Sequence, residues 1–217
     1  MQDKNKLDLC TNFILYNTTK DKYLSNRFST DSRSIQNNQV FISLENDDDL
    51  NLINIKHALT NGASGVITAK SIRRTDIKSH VPFLVMHQIN DLYIELFKQD
   101  YNKLKTKACI IGITGTNGKT STTLFLAQAL KSQDKKVGVI SSEGIGIYPK
   151  LVPNFYTTPP IDIIYSSLLK FTELNCHYII IECSSQGLHQ GRVRGIKFDY
   201  GLITNIDQDH LDYHKSL

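Results

Sequence analysis

A chain of 217 residues, 40% hydrophobic and 21% charged, has the composition of a globular protein with one large domain or two small ones and an ample core. Its net charge of +4 is mild and no dense Lys/Arg block is present, which argues against nucleic acid and suits a small acidic ligand. No apolar run approaches the roughly 18 residues of a membrane helix, the opening MQDKNKLDLC reads as neither signal nor lipid anchor, and the four cysteines lack C-x-x-C spacing, so a cytoplasmic protein with free thiols and no membrane insertion is expected.

In chain order, residues 1–105 read as a small α/β unit. QVFISL (39–44) predicts a short strand, and LINIKHALTNGASGVIT (52–68) a helix ended by Gly62 and followed by a strand at 65–68. VPFLVM (81–86) predicts a further strand. NDLYIELFKQDYNKL (90–104) predicts a helix capped by Asn90 or Asp91, with Leu92, Leu96 and Phe97 on one face. The Lys-rich YNKLKTK (101–107) marks a domain boundary. NDDD (46–49) resembles a metal loop superficially, but four polar residues ahead of a helix read as a solvated turn with N-cap acceptors.

Residues 106–217 change character. Near-continuous apolar strands are predicted at 109–113, 137–141, 178–183 and 200–204, with helices at 119–131 and 161–174 between them. Such alternation predicts a parallel sheet covered on both faces, with ligands gathered at the carboxyl ends of its strands. Chemistry-bearing residues fall at those ends four times: after Ile113, near Ser141, after Ile181 and after Ile203.

The first of these ends carries TGTNGKTS (114–121), where a buried strand breaks at glycine and resumes as a helix with Lys-Thr. Backbone N–H groups and a helix N-terminus in that setting can cradle phosphates, with Lys119 reaching the β- and γ-phosphates and the Thr120 hydroxyl binding Mg²⁺. The strict pattern wants glycine where Ile113 stands; Gly112, Gly115 and Gly118 make this a variant loop. Glu182, ending a buried strand, can hold Mg²⁺ through oxygen or cap the following turn. His57, His80, His87, His177 and His189 have no motif around them.

TGTNGKTS together with TTPP (157–160), ECSSQGLHQGRV (182–193), TNIDQDHLDYH (204–214) and TDSRSIQNNQVFISL (30–44) resembles the Mur ligases, in that family's order and spacing across almost the whole chain. The resemblance is greatest to the branch that adds a diamino acid. It implies an ATP- and Mg²⁺-dependent ligase of peptidoglycan synthesis. That reaction joins meso-diaminopimelate or L-lysine to UDP-MurNAc-L-Ala-D-Glu through an acyl phosphate. Two mutually repelling anions must meet, so cationic clamping and metal dominate the catalytic needs.

The implied catalytic residues are Lys119, Glu182 and His210, and the implied metal ligands Thr120, Glu182 and His210, with Asp209 orienting the His210 ring. Gly115, Thr116, Asn117, Gly118, Lys119, Thr120 and Ser121 would bind ATP. Thr157, Thr158, Ser184, Gln190 and Arg192 would contact the sugar-peptide, the Arg192 guanidinium gripping an anion with two bonds. Thr30 and Ser32 would meet the uridine diphosphate, or form a turn with Asp31 that touches no ligand, and Arg33 is open to Asp31 or to phosphate. The chain departs from the family in having ENDDD (45–49) after the DSR segment, where the acidic residues Glu45, Asp47, Asp48 and Asp49 would repel a diphosphate. The resemblance also implies residues beyond Leu217, a carbamylated lysine and a C-terminal domain. A monomer is expected, and 217 residues alone are expected to bind ligands without completing the reaction. A P-loop kinase or GTPase would want an aspartate where Glu182 stands and would leave TTPP and DHLDYH without a role.

Overall fold

The computed structural model describes residues 2–21, 23–71, 77, 79–87, 89–104 and 107–207. The chain divides into two compact units, Met1–Asp100 and Tyr101–Leu217.

The first unit contains a four-stranded, wholly parallel sheet in sequence order: β1 (Phe28–Ser29), β2 (Val40–Ser43), β3 (Gly65–Thr68) and β4 (Phe83–Val85). Helix α1 is Gln2–Asn17, α2 Asp48–Thr60 and α3 Ile89–Leu104. The sheet packs against α2 through Phe41, Val66, Ile55 and Ala58. Helix α1 is absent from the sequence reading. Its pattern is faint because only Cys10 and Ile14, one turn apart, are deeply buried. Helix α3 begins at Ile89, so Asn90 and Asp91 lie within it and do not cap it. The acidic stretch behaves as a solvated turn: the Asp47 carboxylate accepts from the N–H groups of Asp49 and Leu50 and caps α2. That helix terminus is therefore occupied by its own carboxylate.

The second unit is built on a six-stranded sheet in the order β10-β5-β9-β6-β7-β8. Strands β5 (Cys109–Thr114), β6 (Val137–Ser141), β9 (Tyr178–Glu182) and β10 (Tyr200–Ile203) run parallel. The sheet is mixed, because β7 (Gly144–Ile147) and β8 (Lys150–Val152) extend it as an antiparallel hairpin that the parallel-sheet expectation lacked. Helix α4 (Lys119–Lys131) covers the face bearing Ile113, Val139 and Ile180, with Ala127 in contact. Helix α5 (Ile161–Glu173) lies on the opposite face, where its Phe171 stacks over Gly138, and a short helix α6 (Ser185–His189) follows β9. Strand β10 stands at the edge of the sheet among the described residues, with Tyr200, Leu202 and Ile203 exposed.

No helix among the described residues is long and apolar enough to cross a membrane. All four cysteines are unbonded, and burial pushes the thiols of Cys10 and Cys183 up to about 12.

The contact at Gly138 is tight: a Cβ there would stand 2.6 Å from the buried Phe171 ring, whereas one at Gly201 on β10 would meet nothing within 4 Å. Gly138→Ala is expected to cost about 1–3 kcal/mol in urea unfolding, and Gly201→Ala to stay within about 0.5 kcal/mol of wild type. Equal effects at the two sites would contradict this packing.

Candidate active site

Four parallel strands deliver their carboxyl ends to one edge of the second unit. The Ile113↔Glu182 and Ile203↔Thr114 pairings fix their heights. After β5 the chain turns through Gly115, at φ +135, and Gly118, at φ +80, conformations that disfavour any side chain. A Cβ on Gly115 would collide with Thr204 Oγ1, while one on Gly118 would meet nothing within 4 Å, so the loop is braced on one side and open on the other. No side chain caps α4, in contrast to α2 and α6, and the exposed start of that helix is available to an anion.

Glu182 rises from β9 beneath this loop, only 1% exposed. Its Oε1 accepts from Thr120 Oγ1 at 2.8 Å and its Oε2 from the Ser142 backbone N–H at 2.9 Å, which joins α4, the residue after β6 and the end of β9 at one carboxylate. Lys119 Nζ donates to the carbonyls of Gly115 at 2.7 Å and Thr116 at 2.8 Å, so the ammonium lies across the mouth of the loop. Ser121 is exposed on the first turn of α4. Glu182 is not the cap of the turn that follows it; Ser184 takes that role, its hydroxyl accepting from Gly187 N–H.

A second group forms beside Glu182. Thr157 Oγ1 lies 3.0 Å from Ser142 Oγ. Thr158, 1% exposed, donates to the Glu182 carbonyl at 2.8 Å and accepts from Ser184 N–H at 2.7 Å, so its hydroxyl is spent on framing the loop. Arg192 donates through Nη1 to the Thr158 carbonyl and through Nε to Gln190 Oε1 at 2.9 Å, and sits 5.5 Å from the centroid of the Tyr156 ring. Asn154 ties this loop down by donating to the Ser141 carbonyl at 2.7 Å and accepting from Tyr156 N–H at 2.7 Å. Ser142, Asn154 and Tyr156 thus belong to the site although no sequence signal marked them as functional, and Thr204, at the head of the TNIDQDHLDYH segment, joins it without having been given a role of its own. His210 and Asp209 lie outside the described residues.

Thr30 and Ser32 follow β1 in the first unit. Ser32, 5% exposed, has its hydroxyl 3.4 Å from His57 Nδ1, and its carbonyl accepts from Asn61 Nδ2 at 2.9 Å. The turn is anchored on α2, and His57 enters a context the sequence did not suggest. Asp31 takes Arg33 Nε and Nη2 at 2.9 Å each. The Arg33 side-chain hydrogen bond holds the Asp31 carboxyl below its usual range. The pair settles Arg33 on Asp31 rather than leaving it extended toward a ligand.

Chemically, a hydroxyl and a carboxylate oxygen 2.8 Å apart match the edge of a hard cation's octahedron, roughly 3 Å for metal–oxygen bonds of about 2.1 Å. No group of three His, Cys, Asp or Glu able to hold a metal occurs among the described residues. That donor set suits a metal completed by water and phosphate oxygens better than one held in a protein cage.

Residues 113–217 match the profile of the Mur ligase middle domain. The UDP-N-acetylmuramoyl-L-alanyl-D-glutamate–2,6-diaminopimelate ligase of Coxiella burnetii is 36% identical over 185 residues, 85% of this chain and 38% of that protein. A solved structure of a ligase of the same name superposes with a TM-score of 0.68 at 29% identity, covering 86% of this chain and 37% of that one. The chain belongs to the Mur ligase family. It spans about two fifths of the length of the curated Mur ligases it matches, 38% and 42% for two of them. A MurF ligase from Thermotoga maritima in complex with ADP, 18% identical and covering 91% of this chain and 41% of that one, shares the fold at a TM-score of 0.58.

The framing role of Thr158 in this Mur ligase chain is open to a direct check. Thr158→Val keeps the shape and strands the Glu182 carbonyl and the Ser184 N–H, and is expected to cost about 1–3 kcal/mol in thermal unfolding. A variant as stable as wild type would contradict the assignment.

Proposed function

We propose that this chain supplies the UDP-sugar-binding and ATP-binding parts of an ATP-dependent ligase that adds a diamino acid to UDP-MurNAc-L-Ala-D-Glu, with residues 1–105 taking the uridine end and 106–217 the nucleotide. The observation that carries the reading is the Thr120–Glu182 hydrogen bond directly beneath an uncapped helix start. It puts an oxygen pair fit for Mg²⁺ against a surface fit for phosphate. The likeness to the diaminopimelate ligase of Coxiella burnetii supports the choice of acceptor and amine.

In this reading the main-chain amides from Gly118 onward face the phosphates, and Lys119 swings from the carbonyls of Gly115 and Thr116 to the β- and γ-phosphates. Thr120 and Glu182 would hold Mg²⁺, which when bound would offset negative charge on the phosphates. His210 would hold a second ion. The D-glutamate carboxylate attacks the γ-phosphorus and ADP leaves; the amine of the diamino acid then attacks the acyl carbon and inorganic phosphate leaves. Arg192 and Gln190, with Thr157, Thr158 and Ser184 framing the loop around them, orient the sugar-peptide, and Thr30 and Ser32 meet its uridine end.

Phosphate release from Mg-ATP by the whole gene product tests this. Release is expected only when UDP-MurNAc-L-Ala-D-Glu and a diamino acid are both present, and Lys119→Ala is expected to abolish both release and calorimetric ATP binding. Brisk release with an alcohol acceptor, or unchanged ATP affinity in Lys119→Ala, would overturn the reading.

A further inference from the structure

The phosphate loop is held in shape from outside, by residues that follow β10. Asn117 N–H donates to Asn205 Oδ1 at 2.9 Å, and Asn205 Nδ2 donates back to the Asn117 carbonyl at 3.0 Å. Thr204 Oγ1 donates to the same carbonyl at 2.7 Å. Thr116 N–H donates to the Asn205 carbonyl at 3.0 Å, and Asp207 N–H to Thr116 Oγ1 at 2.8 Å. The approach is close enough that a Cβ on Gly115 would lie 2.8 Å from the Asn205 carbonyl oxygen as well as striking the Thr204 hydroxyl.

These bonds settle which way the Asn117 peptide points. Its carbonyl takes two donors from the β10 side, and its N–H is committed to the Asn205 side chain. A carbonyl aimed the other way would present its negative end to a polyphosphate, where an N–H group is wanted. Of the loop amides, those of Thr116 and Asn117 are already bonded, which leaves the ones from Gly118 onward to face the anion.

We propose that Asn205, seconded by Thr204, is a positioning residue for the nucleotide's phosphates: its carboxamide locks the Asn117 peptide with the carbonyl turned away from them. This rests on the ATP reading above. Asn205 touches no phosphate itself and acts through the loop, by removing the conformers whose carbonyls oppose the ligand.

The test is calorimetric binding of Mg-ATP and, separately, of Mg²⁺ with inorganic tripolyphosphate, to the 217-residue chain and to Asn205→Ala, Asn205→Asp and Thr204→Val. Asn205→Ala is expected to weaken both ligands about tenfold and by the same factor, with faster amide hydrogen exchange at Asn117. Asn205→Asp keeps the acceptor but sets an anionic oxygen against the Asn117 carbonyl, and weakens both ligands at least as much. Thr204→Val removes one of the two donors to the Asn117 carbonyl and weakens both ligands by a smaller, equal factor. Should Asn205→Ala fail to fold, Asn205→Asp, of nearly identical shape, decides the matter. Asn205 variants that bind both ligands as tightly as wild type, or that lose ATP while keeping tripolyphosphate, would overturn the clamp and leave the ATP reading standing. A wild-type chain that binds neither ligand would instead sink the ATP reading, and the clamp with it.

Discussion

The 2.8 Å hydrogen bond from Thr120 to Glu182 is the contact on which the site depends. It requires β5 and β9 to be neighbours, parallel, and in the one register that sets Ile113 beside Glu182. A slip of one residue would turn Glu182 to the other face of the sheet and leave a buried carboxylate without its partners. In that register Ile111, Ile113 and Ile180 pack in one cluster with Ala127 of α4. Packing of the sheet and placement of the carboxylate are therefore one constraint.

Around that bond the second unit separates bracing from binding. The carboxylate is steadied by Ser142 N–H from the end of β6, and the neighbouring loop by Thr158, Ser184 and Asn154. The phosphate loop is steadied by Thr204 and Asn205 after β10. What remains open is the start of α4, the space over Gly118 and the Lys119 ammonium, all suited to an anion. In the first unit the equivalent helix start is filled: Asp47 caps α2, and Asp48 pairs with Lys70 at 2.6 Å. A diphosphate would find no welcome there, which leaves the turn at Thr30 and Ser32 as that unit's remaining polar feature of interest.

Much of this was legible in the sequence, for reasons that differ by element. Helix α4 and strand β6 have the bounds their apolar patterns give, since each is buried along its length or flanked by glycine and lysine. The turn between β5 and α4 was legible because its glycines act locally, Gly115 and Gly118 both taking a positive φ. The β7–β8 hairpin was not, because GIGI and KLV are too short and too lightly buried to show a period. Ser142 and Asn154 were invisible for another reason, and Asn205, though inside the TNIDQDHLDYH segment, showed no role of its own. Each works through a backbone group, its own or a partner's, up to 88 residues away, and such bonds leave no mark on composition or spacing. Thr158 was marked by its motif, yet its burial and its two backbone partners emerge only when β9 and the loop before α5 are folded together.

The central claim is that the oxygens of Thr120 and Glu182 jointly hold a divalent cation beneath the phosphates. Electron paramagnetic resonance of Mn²⁺, standing in for Mg²⁺ at an oxygen site, tests it most directly. With ADP present, the wild-type chain should take up one Mn²⁺ and Glu182→Gln should leave it in solution. Manganese held as tightly by the Glu182→Gln protein as by the wild type would contradict the account.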